Sequence, residues 1–231
     1  MTRARFVDLD AAAPDDAVVV IDVLRAFTTV PWALHRGVTR VLAVDTPQRA
    51  RALRNRPELG EVVLAGEEGG RPLDGFDLGN SPSEVSRTDL TGRTLVHRTS
   101  AGTQGLWRCQ DSPLLFAASF VTAGATARRL RAAGVGQVTY VVTGASLGRD
   151  GDEDLAAAEL IAARVAGDDP DPRPFLARVP TSDAGRRFVD PQGPDWLPAV
   201  DVELACELDR FDLALLARPA ADLAAIEVGA G

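Results

Sequence analysis

The sequence predicts an α/β fold in which a mostly parallel sheet is connected by helical crossovers. Short apolar runs that are rich in β-branched residues, such as Ala17–Ile21 and Arg40–Val44, alternate with stretches of helical periodicity. Such runs are typical of strands that are buried on both faces of a sheet. Strands that alternate with helices form parallel crossover units. We therefore expect one α/β domain over residues 1–231, with room for a sub-lobe from about residue 168.

Capping residues place the first helices between these strands. Thr28 or Thr29 can cap a helix that ends near Gly37, and Thr46-Pro47 can open the next one. The further predicted strands are Glu61–Ala65, Thr94–His97, Leu114–Ala117, Val138–Val142 and a final Leu213–Ala217. The further predicted helices are Thr103–Arg108, Thr122–Ala132, Asp154–Val165, Ser182–Val189 and a helical end at Leu204–Leu208.

The charge balance excludes some classes of partner. A net charge of −8 argues against a nucleic-acid binder, because that function needs clustered basic side chains. A small anion remains compatible, since all 25 basic residues are Arg, whose planar guanidinium suits oxyanions. The N-terminus lacks the apolar core of a signal peptide, and no run has the length of a membrane span. We expect a cytoplasmic protein without a membrane partner, for which a homo-oligomer is plausible although no interface pattern is evident.

The first segment that can carry chemistry is I-D-V-L-R-A-F-T-T, residues 21–29. Asp22 ends a buried strand, where a carboxylate is costly unless it is paired, hydrogen-bonded or bound to a metal. Arg25 follows, and the start of a helix favours an anion. The alternative is that Asp22 and Arg25 form a structural ion pair.

The second segment is a glycine-rich loop over residues 66–87. A loop of this length is more often functional than idle. Glu67 and Asp77 offer the hard oxygen atoms that Mg²⁺ requires, while Asn80 and Ser81 can bind a substrate. A solvated surface loop explains the same composition equally well.

The third and fourth segments also follow predicted strands. Thr99, Gly102 and Thr103 lie between a strand and a helix, where backbone and hydroxyl donors can surround phosphate, although simple helix capping explains them too. Glu153 and Asp154 begin a helix, and acidic residues there also suit the helix dipole without any metal.

Together these segments resemble the 2-phosphosulfolactate phosphatase (ComB) family. The similarity rests on I-D-V-L-R-A-F-T-T, G-E-E-G-G, G-F-D-L-G-N-S-P, T-S-A-G-T and E-D-L, in family order over about residues 15–210. A weaker similarity is D-V-E-L-A-C at 201–206. The resemblance implies an α/β fold and Mg²⁺-dependent hydrolysis of 2-phospho-3-sulfolactate to 3-sulfolactate and phosphate, a step of coenzyme M biosynthesis.

Our hypothesis for this chemistry is a Mg²⁺-assisted phosphoryl transfer to water. The metal ligands would be Asp22, Glu67 and Asp77. The catalytic groups would be Asp22, Glu153 and Asp154, of which the last two would act as ligand or general base. The small anionic organophosphate would be bound by Arg25, Asn80, Ser81, Thr99, Gly102 and Thr103. Attack by Asp22 itself is a variant of direct attack by water.

Two departures from the family pattern motivate an alternative function. Glu68 replaces a usual Arg, and Ala101 replaces a usual Asn. The alternative is a non-catalytic or divergent relative that binds a different small anionic metabolite.

Overall fold

The computed structural model describes residues 2–146 and 148–231, apart from the side chain of Ala221. Its strands are β1 Arg3–Asp8, β2 Ala17–Ile21, β3 Arg40–Ala43, β4 Val62–Glu68, β5 Arg71–Pro72, β6 Thr94–Arg98, β7 Leu114–Ala118, β8 Gln137–Val142, β9 Leu215–Ala220 and β10 Ala225–Ala230. Its α-helices are α1 Ala26–His35, α2 Pro47–Leu53, α3 Pro82–Val85, α4 Gly102–Arg108, α5 Ala123–Ala133, α6 Asp152–Ala166, α7 Arg173–Leu176, α8 Asp183–Val189 and α9 Val200–Ala205. The predicted α/β fold with a mostly parallel sheet is confirmed.

The strands form one sheet in the order β1-β8-β2-β7-β9-β10-β3-β6-β4-β5. Strand β2 lies near the middle of one half, and its residues alternate between two apolar layers. Val18 and Val20 pack on the side of α1 and α4, whereas Val19 and Ile21 pack on the side of α5 and α6. Burial on both faces explains why this run is continuously apolar.

The sheet consists of two parallel sets. Strands β1, β8, β2 and β7 are parallel to one another, and so are β3, β6 and β4. The antiparallel hairpin β9–β10 lies between the sets, so the two sets run in opposite directions. The run Leu213–Ala217, expected as a final strand or an apolar run, contributes to β9, but it is not the last strand, because β10 follows it and pairs with β3.

Sheet twist brings the ends of the two sets together. From β2 to β4 the sheet takes six steps between neighbouring strands. At roughly 20–25° per step, the strand direction turns far enough for the carboxyl ends of oppositely running strands to approach one another. The contact between Gly102, which follows β6, and Asp22, which follows β2, demonstrates this approach. Functional segments from both sets therefore meet in one place.

Several boundaries differ from the prediction. Helix α1 begins at Ala26, before the two threonines, so Pro31 lies inside the helix. Strand β4 continues to Glu68, and the expected loop over 66–87 contains β5 and α3. Helix α9 covers Val200–Ala205, earlier than the expected helical end. None of the helices within the described ranges combines the length and apolarity that a membrane crossing requires.

Candidate active site

Asp22 lies immediately after β2, and only 5% of its surface is exposed. Its Oδ1 accepts a hydrogen bond from the backbone N–H of Ala26, 3.0 Å away, in the first turn of α1. On the other side, a Cβ atom at Gly102 would lie 2.6 Å from Oδ2 and 2.8 Å from the Cβ of Ala26. The backbone of α4 therefore packs directly on the Asp22 carboxylate, and any side chain at residue 102 would collide with it.

Two further carboxylates, Glu153 and Asp154, are buried behind Asp22 at the start of α6. Asp154 accepts hydrogen bonds from the backbone N–H groups of Val23 and Gly144, each at 2.7 Å. It thereby joins the segment after β2 to the segment after β8. The Oε2 atom of Glu153 is buried and has no hydrogen-bond partner among the described residues.

Burial makes the three neighbouring carboxylates, Asp22, Glu153 and Asp154, costly to ionise. Burial is the main cause that raises the pKa of Asp22 to about 6, although the Ala26 N–H opposes the rise. Burial also raises the pKa of Asp154 well above its ordinary value, and the charges of Glu153 and Asp22 add to the effect. The pKa of Glu153 is raised by burial as well. The group therefore favours a proton or a bound cation.

Glu67, at the end of β4, is held by donors from two loops. Its Oε1 accepts from the Ser100 N–H at 2.6 Å, and its Oε2 accepts from the Gly70 N–H at 2.6 Å and the Ser100 hydroxyl at 3.1 Å. Its charge acts on the pKa of Asp22. The structure therefore brings Asp22, Glu67, Glu153 and Asp154 together, as the sequence predicts.

A cavity of about 290 Å³ opens in front of these carboxylates. Its lining combines acidic, basic, glycine and apolar residues, and the wall nearest the strand ends includes Asp22, Glu67, Ser100 and Ala101. A second wall comes from the C-terminal segment and consists of Ala184, Arg187 and Phe188 on α8 and Leu197 before α9. Glu153 and Asp154 do not line this cavity and lie behind its wall.

Arg25 borders the cavity, but its charge is neutralised by an aspartate that the candidate residues do not include. Its Nη1 lies 2.9 Å from Oδ2 of Asp201 and donates to the carbonyl oxygen of Trp196 at 2.8 Å. Both side chains are almost completely buried. Asp201 also accepts from the Ser81 hydroxyl at 2.8 Å. The alternative by which Asp22 and Arg25 form a structural ion pair is therefore wrong, and Arg25 and Ser81 attach the C-terminal segment instead.

The other predicted substrate-binding residues make mainly internal contacts. Asn80 borders the cavity, and its Oδ1 lies 2.9 Å from Nε2 of His97. Burial lowers the pKa of His97 to about 4, so the ring is neutral at neutral pH. The hydroxyl of Thr99 accepts from the Thr103 N–H, and the hydroxyl of Thr103 accepts from the Thr99 N–H. These reciprocal bonds join the end of β6 to the first turn of α4, and neither threonine lines the cavity.

Asp77 lies outside this group. Its carboxylate forms two hydrogen bonds with Arg54, at 2.7 and 3.1 Å, and accepts from the Leu64 N–H at 2.8 Å. It does not line the cavity. Glu68 is also directed elsewhere, since it pairs with Arg98 at 3.2 Å on the surface. The acidic residue that replaces the family's Arg therefore adds no charge to the cavity wall.

Sequence reasoning missed three residues of the site, namely Asp201, Arg149 and Arg187. Asp201 lies in the D-V-E-L-A-C segment, whose similarity to the family was the available signal. Arg149 lies in the segment that follows β8, close to the candidate carboxylates. Arg187 has no motif of its own, because α8 reaches the cavity only through tertiary packing.

The carboxylates can be tested as a site for Mg²⁺. Within the described part of the chain, no group of three or more His, Cys, Asp or Glu residues is arranged to hold a metal ion. Mg²⁺ usually keeps several waters and uses one or two protein carboxylates. Asp22 and Glu67 on the cavity wall supply two, and neither has an ion-pair partner among the described residues. The donor set fits a hydrated Mg²⁺.

Comparison with known proteins places these residues in a family context. Residues 5–182 match the model of a family described as 2-phosphosulpholactate phosphatase. A protein of Parasynechococcus marenigrum named "Probable 2-phosphosulfolactate phosphatase" is 40% identical over 158 residues, covering 68% of this chain and 65% of that protein. Proteins with the same name are 42% identical in Deinococcus radiodurans, covering 64% of this chain and 60% of that protein, and 31% identical in Bacillus subtilis, covering 79% and 78%. The chain thus spans less than two thirds of the Parasynechococcus and Deinococcus relatives.

Proposed function

Because the chain belongs to the 2-phosphosulpholactate phosphatase family, we propose that it is a Mg²⁺-dependent phosphatase that hydrolyses the phosphate ester of a small acidic hydroxy acid, such as 2-phospho-3-sulfolactate. The observation that carries this proposal is the convergence of Asp22 and Glu67 on one cavity wall, with Glu153 and Asp154 buried behind it. The names of the relatives agree with this reaction class.

Asp22 and Glu67 would hold Mg²⁺. When bound, the cation would neutralise phosphoryl charge and polarise the ester. It would also relieve the repulsion between the buried carboxylates, whose pKa values are raised. The pairing of Asp77 with Arg54 removes Asp77 from this ligand set.

The residues of the chain have separate tasks in hydrolysis. Water attacks phosphorus, the bond between phosphorus and the ester oxygen breaks, and the hydroxy acid leaves with a proton. Glu153 would accept the proton of the water, because its Oε2 has no donor among the described residues and its pKa is raised. Since Glu153 lies behind the cavity wall, this transfer would be indirect. Asp154 is a positioning residue, because its two oxygen atoms hold the backbone N–H groups of Val23 and Gly144.

Asp22 can alternatively attack phosphorus itself and form an aspartyl phosphate. A single turnover in ¹⁸O-labelled water separates the two routes. Direct attack by water places the label in phosphate during the first turnover and leaves no phosphoenzyme after rapid quenching. A quenched phosphoenzyme with unlabelled first-turnover phosphate would establish covalent attack.

Phosphate release from a panel of monoesters tests the function as a whole. We expect turnover of 2-phospho-3-sulfolactate or a related phospho-hydroxy acid with Mg²⁺, and loss of turnover after chelation. The same panel tests the alternative that the chain only binds a small anionic metabolite. This alternative is motivated by Ala101, which replaces the usual Asn of the family and lines the cavity. Tight binding of such a metabolite, without turnover of any ester, would refute the phosphatase.

A further inference from the structure

Four charged side chains on the cavity lining have no ion-pair partner among the described residues. Two other charges are neutralised locally, because Arg25 pairs with Asp201 and Asp183 pairs with Arg186. The four that remain are the acids Asp22 and Glu67 and the cations Arg149 and Arg187. The cavity therefore offers an acidic side suited to a cation and two guanidinium groups suited to anions.

Arg149 belongs to the carboxylate end of the cavity. It lines the cavity together with Asp22 and lies in the segment that joins β8 to α6, the helix whose first turn carries Glu153. Its Nε is buried and has no acceptor among the described residues. A guanidinium N–H in that situation lacks a hydrogen bond that an oxyanion can supply.

Arg187 lines the cavity from α8. Its Nη2 would lie 3.4 Å from a Cβ atom at Gly70, so its guanidinium lies against the loop after β4. Phe188 and Leu197 line the same wall and are buried. Arg149 lies instead in the segment between β8 and α6. The two cations thus serve different parts of the cavity.

We propose that Arg187 is a specificity-determining residue that binds the non-reacting acid group of the substrate, while Arg149 faces the phosphoryl group. The site then selects phosphate esters that carry a second acidic group. The assignment of the phosphoryl end rests on the proposed function, whereas binding of the second acid by Arg187 can be measured without turnover.

Calorimetric binding of two probes tests the proposal. One probe is 3-sulfolactate, which carries the carboxylate and sulfonate groups but no phosphoryl group. The other probe is inorganic phosphate, which represents the phosphoryl end. We expect Arg187→Ala to weaken 3-sulfolactate binding by about tenfold or more, the effect of losing hydrogen bonds from a charged group. The affinity of Arg187→Ala for inorganic phosphate is expected to fall much less. Arg187→Lys is expected to recover part of the affinity for 3-sulfolactate.

Arg173→Ala is the matched control. Arg173 is an exposed arginine of the same C-terminal part, pairs with Asp171 and does not line the cavity. We expect it to bind both probes like the wild type. A circular dichroism melt of each variant shows whether α8 remains folded.

The outcomes separate the proposal from the proposed function. The role of Arg187 would be overturned if folded Arg187→Ala lost affinity for both probes equally. It would also be overturned if the wild type did not bind 3-sulfolactate. Selective loss of 3-sulfolactate supports that role even if the wild type hydrolyses no ester, a result that would refute only the phosphatase. Turnover by the wild type together with equal loss of both probes would refute only the role of Arg187.

Discussion

The two walls of the cavity are built in different ways. The strand-end wall, Asp22, Glu67, Ser100 and Ala101, is held by short hydrogen bonds to backbone N–H groups from neighbouring loops. The helical wall, Ala184, Arg187, Phe188 and Leu197, belongs to a C-terminal segment attached through the buried pair between Arg25 and Asp201.

This difference bears on how such a site can diverge. The family match covers residues 5–182 and ends before the helical wall begins. Asp22 and Glu67 of the strand-end wall cannot lose their side-chain oxygen atoms without leaving backbone N–H donors unsatisfied, which is costly. On the helical wall the exposed Arg187 can change at a smaller cost to the fold, whereas Ala184, Phe188 and Leu197 are buried core residues. We infer that reaction chemistry resides mainly in the first wall and substrate selection mainly in the second.

The largest expected effect comes from the strand-end wall. Asp22→Asn should reduce turnover at least about a thousandfold, equivalent to about 4 kcal/mol of barrier, because it removes the charged carboxylate on the cavity wall. The melting temperature should not fall, because the amide oxygen still accepts from Ala26 and repulsion among buried carboxylates decreases. Kinetics and thermal unfolding measure both effects, with exposed Asp74→Asn as the control. Nearly normal turnover would remove Asp22 from the mechanism.

The helical wall should depend on its buried ion pair. Asp201→Ala leaves the Arg25 guanidinium buried without its partner and should lower the free energy of unfolding by about 3–5 kcal/mol. Urea unfolding measures this loss, and Asp195→Ala, an exposed aspartate of the same segment, is the control. If the loss were below about 1 kcal/mol, as for a surface pair, the pair would not hold this wall in place.

The pH dependence of stability distinguishes the walls in the absence of Mg²⁺. The folded-state pKa of Asp22 is about 6, above its ordinary value of 3.8, so the folded state binds more protons than the unfolded state between these pH values. Stability therefore falls as pH rises through this window. Between pH 5 and 7 this group should cost about 1 kcal/mol.

Chemical unfolding in the presence of a chelator measures this slope. Asp22→Asn should flatten it, whereas Arg187→Ala should not. An unchanged slope in Asp22→Asn would show that other groups carry the pH dependence. Adding Mg²⁺ at pH 7 should restore stability, because a bound cation stabilises the ionised carboxylates of the folded state.

The sequence was sufficient for the central strands and insufficient for the edge strand and the hairpin. Strand β2 is apolar at every position because both of its faces are buried. Strand β1 lies at one edge of the sheet and is largely exposed, so it has no such pattern. Strand β10 contains a glycine and a glutamate, and it is recognisable only through its pairing with β9 and β3.

The same reason explains the site. Asp22, Glu67, Glu153 and Asp154 follow strands or begin helices, so local sequence indicates that they converge. Arg187 depends on how α8 packs on the rest of the chain, and no local pattern encodes that packing. Asp77 is a residue that the sequence wrongly assigned to the site. It was predicted as a metal ligand because it is acidic and lies in the glycine-rich loop, but its side chain pairs with Arg54.

The smallest expected effect concerns that pair. Asp77→Asn should change the free energy of unfolding by about 0–1 kcal/mol, because the Arg54–Asp77 pair is partly exposed and water already solvates both charges. Affinity for Mg²⁺, measured by calorimetry, should stay within about twofold, while Glu67→Gln should lower it about tenfold or more through loss of a charged ligand on the cavity wall. Asp77→Asn and Glu67→Gln each replace a carboxylate by an amide of the same shape. The two variants therefore differ mainly in whether the charge is removed beside Arg54 or on the cavity wall. A large loss of Mg²⁺ affinity in Asp77→Asn, with little loss in Glu67→Gln, would move the metal from the cavity to the loop beside Arg54.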